Sequence, residues 1–343
     1  MKSRSMKRTT LEEIAEYANV SKATVSYVLN NTKPISEETR KKVLDAAEKL
    51  HYVKNYSAAS LTNHKSYLIG VVIPQTAPGT KMLLASSFYS ELVASIEWQA
   101  RQKGYHLFIS GQNLNKSYSD FIMERNLDGV IAVGIDPDEL HRTFKGTDAP
   151  VVLIDSYGMD DEYPNIRIDD KGSMYRITKY VIGMGHRSIG MICGRTEMDG
   201  VEKRRVQGYL QALAEAGIPE NSDVIIHDDN TMEAGYRAAR TIAEKHKELT
   251  AVVTTADIIA IGAMKGFQEC GIRVPEDISL TGFDNLQITG FLNPGLTTVM
   301  QDIEKRGDEA VECLTRCMEG RMTSYKPIIM PTELVIRDSV KKL

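Results

Sequence analysis

The sequence predicts an all-α headpiece built on a helix-turn-helix, joined to a two-lobed α/β body of doubly wound parallel sheets. Short capped amphipathic helices crowd the first fifty-odd residues, and from Leu68 onward apolar runs alternate with helical stretches. Charge divides the chain in the same place. Residues 1–60 hold 11 Lys and Arg against 7 Asp and Glu, a balance of +4, while the remainder holds 31 against 39, or −8, within a total of −4. A basic head on an acidic body directs the head alone at a polyanion.

The first helix starts at Thr10-Leu-Glu-Glu13, where Thr10 can cap the helix and Glu13 can reach back in a capping box. Leu11, Ile14, Ala15 and Ala18 then share one face. Asn19 tolerates the left-handed backbone of a tight turn. Ser21 can cap a second helix whose apolar residues are Val25, Val28 and Leu29. A third begins at Pro34-Ile35-Ser36, with Glu37 and Glu38 in its first turn and Val43, Leu44, Ala47 and Leu50 as its inward stripe. The second helix leaves Lys22, Ala23, Thr24, Ser26 and Tyr27 off the apolar face. That set suits a major groove, and it equally suits a solvated face in an unrelated three-helix bundle.

The segments Thr10 to Asn30 and Ile35 to Leu50 resemble the opening of the lactose/galactose repressor family, nearly without break over residues 9–61. The resemblance implies a sequence-specific DNA-binding regulator, most simply a repressor. It places Lys22, Ala23 and Tyr27 against base edges. Thr10, Ser21, Thr24, Ser26, Asn30 and Tyr52 would mainly touch phosphates. It also makes 54–66 a hinge that turns helical on DNA. There Asn55 starts the helix, Tyr56 lies within it and Ala58 allows close approach to a second copy. Leu61 wedges into the minor groove, or is simply buried at the domain junction. Tyr27 stands where many members have Arg, Asn19 where Gly is usual, and Lys54 where Pro is frequent.

In the body, the runs Leu68–Ile73, His106–Ile109, Gly129–Val133 and Val151–Ile154 read as strands buried on both faces. So do Ile189–Cys193, Val224–Ile226, Ala251–Thr254 and Ile278–Phe283. Tyr89 to Lys103 and Arg204 to Ala216 have helical periodicity. Gly183 and Gly185 in Ile182-Gly-Met-Gly-His-Arg-Ser-Ile189 read as a helix stop, since the spacing fits no dinucleotide fingerprint. Gln75, Asp155, Asp257 and Asp284 lie at or just after strand ends, where doubly wound sheets bind ligands.

The resemblance runs on through Phe88-Tyr-Ser-Glu-Leu92, Asp128-Gly-Val130, Gly185-His-Arg187, Arg205-Val-Gln-Gly-Tyr209, Val274–Ser279, Gly282-Phe-Asp284 and Leu296–Gln301. It implies a periplasmic-binding-protein-like effector domain. Arg205 would be the central effector contact, Asp155, Asp284 and Gln301 cleft residues, and Phe88 a stacking position. Gln75 and Asp257 complete the expected effector set. The family's Asn-Asp pair is Ala256-Asp257 here, and the stretch from Gln75 to Ser87 is longer than usual.

The implied domains are a headpiece over 1–53, the hinge over 54–66 and an effector-binding and dimerisation domain over 67–343. Within the last, the N-lobe takes about 67–165 plus 295–325, and the C-lobe about 166–294 plus 326–343. Partners would be a pseudo-palindromic double-stranded DNA operator, a sugar or sugar phosphate effector, and a second copy of the chain. No tetramerising heptad follows Asp338, which favours a dimer. The alternative is a two-lobed solute-binding protein without catalytic activity. An enzyme is not expected, because no phosphate loop, nucleophile elbow or zinc-protease motif occurs, and no cofactor is expected. Cys313 and Cys317, at helical i, i+4 spacing, are a metal pair or two small apolar residues of a reduced core. No metal site is expected from the scattered histidines. No apolar run approaches the ~18 residues of a membrane span, and no apolar segment follows the basic N-terminus, so a cytoplasmic protein is expected.

Overall fold

The computed structural model describes residues 9–30, 33–52, 65–73, 86–111, 118–135, 144, 147–158, 162–196, 200–322 and 325–343. The chain separates into two compact units, 1–66 and 67–343.

The first unit contains α1 (Leu11–Ala18), α2 (Lys22–Asn30) and α3 (Glu37–Lys49). Its helix starts follow from side-chain capping of amides that have no intrahelical partner. The Thr10 hydroxyl accepts from the Glu13 amide at 3.3 Å, and the Glu13 carboxylate accepts from the Thr10 amide at 2.8 Å. Ser21 and Ser36 accept from the amides of Thr24 and Thr39 at 3.0 and 3.3 Å. Between α1 and α2, Asn19 is left-handed at φ 52°. Ile14, Ala15, Val25, Val28, Val43 and Ala46 form the core. Leu44, expected inside, is 48% exposed. The inward stripe of α3 runs Val43, Ala46, Ala47, Leu50, and one residue of rotation carries Leu44 off that face.

The second unit opens with β1 (Leu68–Ile73), α4 (Ser87–Gln102), β2 (His106–Gly111), α5 (Tyr118–Arg125), β3 (Gly129–Val133), β4 (Val151–Ile154) and β5 (Asn165–Ile168). It continues with α6 (Asp170–Gly183), β6 (Ile189–Cys193), α7 (Val201–Glu215), β7 (Ile225–His227), α8 (Met232–Lys245), β8 (Ala251–Thr254), α9 (Asp257–Glu269) and β9 (Ser279–Thr281). The chain ends with β10 (Thr298–Gln301), α10 (Ile303–Met318), β11 (Ile328–Met330) and β12 (Thr332–Val335). Six strands form one sheet in the order β11-β5-β4-β3-β1-β2, and four form another in the order β7-β6-β8-β9. All pairings within these two sheets are parallel. The antiparallel pair β10–β12 is separate.

Two lobes around two parallel sheets therefore match the expectation, with differences at the edges. The expected lobe boundaries at 165/166 and 325/326 need correcting, because β5 and β11 both join the six-stranded sheet. The strands β5, β10, β11 and β12 were not foreseen. Asn165 and Arg167 interrupt β5, β10 and β12 mix polar with apolar residues, and β11 is a three-residue apolar run closed in by Pro327 and Pro331, so none shows a long apolar run. The glycine stop is present: α6 ends at Gly183, and Gly185 follows at φ 103°.

Helix α8 packs on α9 at very close range. A Cβ added at Gly262 would lie 1.9 Å from the Met232 carbonyl oxygen, a backbone atom with no rotamer to yield. Gly262→Ala should therefore lower stability by about 1–3 kcal/mol, read as a lower urea midpoint with an unchanged slope.

Candidate functional site

On α2, Lys22 and Ala23 are exposed, and Thr24, Ser26 and Tyr27 are partly buried. The ammonium of Lys22 is bonded to Glu12 of α1. The Tyr27 hydroxyl accepts from Lys33 at 3.2 Å, and that ammonium also stands 4.5 Å from the ring centre. The Ser21 and Thr24 hydroxyls are 2.8 Å apart. Thr10 is exposed and Tyr52 is partly buried against the headpiece core. Asn30 closes α2, and its side chain lies outside the described residues, as do Asn55, Tyr56, Ala58 and Leu61.

In the second unit, Arg205, Asp155, Asp284 and Gln301 converge as expected. Arg205, on α7, is almost fully buried. Its Nε donates to Asp170 Oδ1 at 2.8 Å and its Nη1 donates to the Thr255 carbonyl beyond β8. The guanidinium carbon sits 3.6 Å from the centre of the Phe283 ring. Asp170, the first residue of α6, also accepts from the Tyr157 hydroxyl at 2.6 Å. Burial works against the Arg205 charge, but Asp170 and Asp284 more than reverse it, so Arg205 stays protonated more firmly than an ordinary arginine.

Asp155 follows β4 and Asp284 lies just beyond β9. Both have left-handed backbones, at φ 56° and 115°, the latter well outside the range comfortable for a residue with a Cβ. Gln301 ends β10, and its Nε2 donates to Asp284 Oδ1 at 2.5 Å. Arg306, in the first turns of α10, donates to both Gln301 and Asp155. Phe88, on α4, has its ring centre 5.8 Å from the Arg306 guanidinium. Burial pushes the Asp155 carboxyl up, with Arg306 pulling it back. Burial likewise lifts Asp284 to about 7, against the pull of Arg205.

Asp257 needs correcting as an effector contact. It is fully buried, and its two oxygens accept from the Thr298 hydroxyl at 2.6 Å and the Leu286 amide at 2.7 Å. It is a strut between α9 and β10, and burial raises its carboxyl well above the usual range. Gln75 lies outside the described residues. Sequence reasoning missed Asp170, Tyr157, Thr255, Phe283 and Arg306. Only Arg306 carried a signal: a charge on the stripe Ile303, Gly307, Ala310, Val311, Leu314, where apolar residues belong.

Cys313 is buried and Cys317 partly so, both in reduced form. Among the described residues no group of three or more His, Cys, Asp or Glu could hold a metal ion, and no helix is long and apolar enough to cross a membrane.

The folded pKa of Asp284, about 7, exceeds the value near 3.9 of a free Asp. The fold thus prefers the protonated form, and that part of its stability is present below about pH 4 and is lost as pH rises through about 7. Asp284→Asn should become more stable relative to the parent chain as pH rises from 4 to 8, by ~1 kcal/mol or more. Urea midpoints across that range check this, and parallel curves would contradict it.

Comparison with known proteins fits both units. Residues 10–55 match the bacterial regulatory proteins, lacI family, and residues 178–340 match the periplasmic binding protein-like domain. The chain is 31% identical over 344 residues to the HTH-type transcriptional regulator DegA of Bacillus subtilis (strain 168), covering 98% of this chain and 99% of DegA. Among solved structures, the lac repressor dimer bound to operator and the anti-inducer ONPF superposes with a TM-score of 0.83 at 26% identity, covering 98% of this chain and all of that one. The complex of the transcriptional regulator CelR with cellobiose gives a TM-score of 0.74 at 26% identity, over 97% of this chain and all of that one. The protein is a non-enzymatic transcriptional regulator with a DNA-binding helix-turn-helix and an effector-binding domain, and the chain belongs to the lacI family of bacterial regulatory proteins.

Proposed function

We propose that the chain is a cytoplasmic, homodimeric repressor. Its affinity for a pseudo-palindromic operator is set by a sugar-class effector held between the lobes of the second unit. The observation that carries this reading is the convergence of Arg205, Asp155, Asp284 and Gln301 from four separate elements onto one buried polar network. Such a network at the carboxyl ends of parallel strands is built to meet hydroxyl groups. The likeness to a repressor solved on its operator and to a regulator solved with cellobiose supports it.

In the headpiece, Lys22, Ala23 and Tyr27 face base edges, while Thr10, Ser21, Thr24, Ser26, Asn30 and Tyr52 set the register through phosphates. The hinge residues Asn55, Tyr56, Ala58 and Leu61 lie between two half-sites. In the body, Arg205, Asp155, Asp284 and Gln301 contact the effector, with Phe88 beside them; Gln75, read from the sequence as a further contact, lies outside the described residues. The effector shifts operator affinity only to the extent that it binds the DNA-competent and DNA-incompetent states unequally.

Fluorescence anisotropy on a pool of labelled pseudo-palindromic duplexes tests the reading, with salt varied and with sugars and sugar phosphates added. Binding should be selectable, should weaken steeply with salt and should respond to one small molecule. Failure to bind any duplex, with or without ligands, would contradict the reading. The Lys22–Glu12 pair must open for Lys22 to reach DNA, so Glu12→Gln should tighten binding roughly two- to fivefold at low salt.

A further inference from the structure

Lys33 is a charged residue of the headpiece that neither helix capping nor ion pairing accounts for. The helix α2 carries one basic residue, Lys22, and its ammonium is bonded to Glu12. Lys33 lies in the connection from α2 to α3, and its side chain returns to α2. Its Nζ donates to the Tyr27 hydroxyl at 3.2 Å and stands 4.5 Å from the centre of the Tyr27 ring. Among the described residues that ammonium meets no carboxylate. The root of the side chain is held on both sides of Pro34. Proline disfavours a helical backbone at the residue before it, while Ile35 packs against the headpiece core and Ser36 caps α3.

The contact decides what each group can offer. An ammonium has three N–H donors, and one is spent on Tyr27, so two remain. The phenol has one O–H donor. Its oxygen accepts from Lys33, so its own proton turns away from the positive charge. The ammonium beside the ring also limits how far the ring can swing. Lys33 is exposed and Tyr27 partly so. The pair therefore presents two donors, Nζ and Oη, 3.2 Å apart, with the acceptor side of the phenol already occupied.

In the major groove guanine shows two neighbouring acceptors, N7 and O6. Adenine sets an amino group beside its acceptor, cytosine shows an amino group, and thymine sets a methyl beside a single acceptor. Two neighbouring donors match the guanine edge, and they oppose the amino groups of adenine and cytosine with like polarity.

We propose that Lys33 is a specificity-determining residue of the DNA interface, and that with Tyr27 it forms a composite donor pair that reads one guanine in each half-site. The proposal rests on the reading above that Tyr27 faces base edges. It adds a residue outside α2 and names the base.

Selection of tight binders from a pool of pseudo-palindromic duplexes, followed by fluorescence anisotropy on single duplexes, tests this with the full chain. One guanine per half-site should be fixed, and replacing it by adenine should weaken binding about 10-fold. Replacing it by 7-deazaguanine, which lacks one of the two acceptors, should weaken binding several-fold. In Lys33→Met and in Tyr27→Phe the penalty for adenine should shrink to about 3-fold or less, and Lys33→Arg, which retains a charged donor, should keep the preference. If Lys33 served only a phosphate, Lys33→Met would weaken all duplexes alike and reduce the salt slope by about 1, with the guanine preference intact. That result would overturn the proposal and leave the repressor reading standing, as would full binding to the 7-deazaguanine duplex. Failure of the unaltered chain to bind any duplex would overturn both.

Discussion

The ion pair between Arg205 and Asp170 is the constraint around which the second unit is arranged. Taking two charges out of water costs several kcal/mol per ion, and the attraction between them offsets this only where every remaining polar atom is also bonded. Here Tyr157 bonds the second oxygen of Asp170, the Thr255 carbonyl takes Arg205 Nη1, and the Phe283 ring covers the guanidinium. Each partner comes from a different part of the chain. The pair therefore fixes the start of α6, the inner face of α7, the end of β8 and the segment after β9 relative to one another. Close packing makes this possible: a Cβ at Gly208, one turn beyond Arg205, would lie 2.1 Å from the Lys171 carbonyl oxygen.

From this anchor the polar network extends through Asp284 and Gln301 to Arg306 and Asp155, and so from one lobe to the other. A ligand that competes for any of these bonds acts on the link between lobes. Regulation requires that such a ligand interact differently with two states. The left-handed backbones at Asp155 and Asp284 fit the same picture, since strained residues persist where the surroundings over-determine them.

The headpiece was almost fully legible because its rules are local. Thr10 with Glu13, Ser21 with Thr24 and Ser36 with Thr39 are short-range bonds that spacing alone foretells. The parallel strands buried on both faces were equally plain. Strands of mixed polarity such as β5 and β12 were not, because pairing partners rather than periodicity create them. At the site, residue type and position after a strand found Asp155 and Asp284, and the family resemblance pointed to Arg205. The same rule misassigned Asp257, whose carboxylate is spent on Thr298 and Leu286, residues distant in sequence. Asp170 carries no local signal, because its partner Arg205 lies 35 residues on in the sequence.

The most direct test of this arrangement is a double-mutant cycle on stability, using Arg205→Met, Asp170→Asn and the pair together, read by urea unfolding of the full chain. If the buried pair is the organising constraint, each single change costs about 3 kcal/mol and the double change falls short of their sum by about 2 kcal/mol or more. Additive losses would mean that Arg205 and Asp170 are stabilised independently, and would contradict the account.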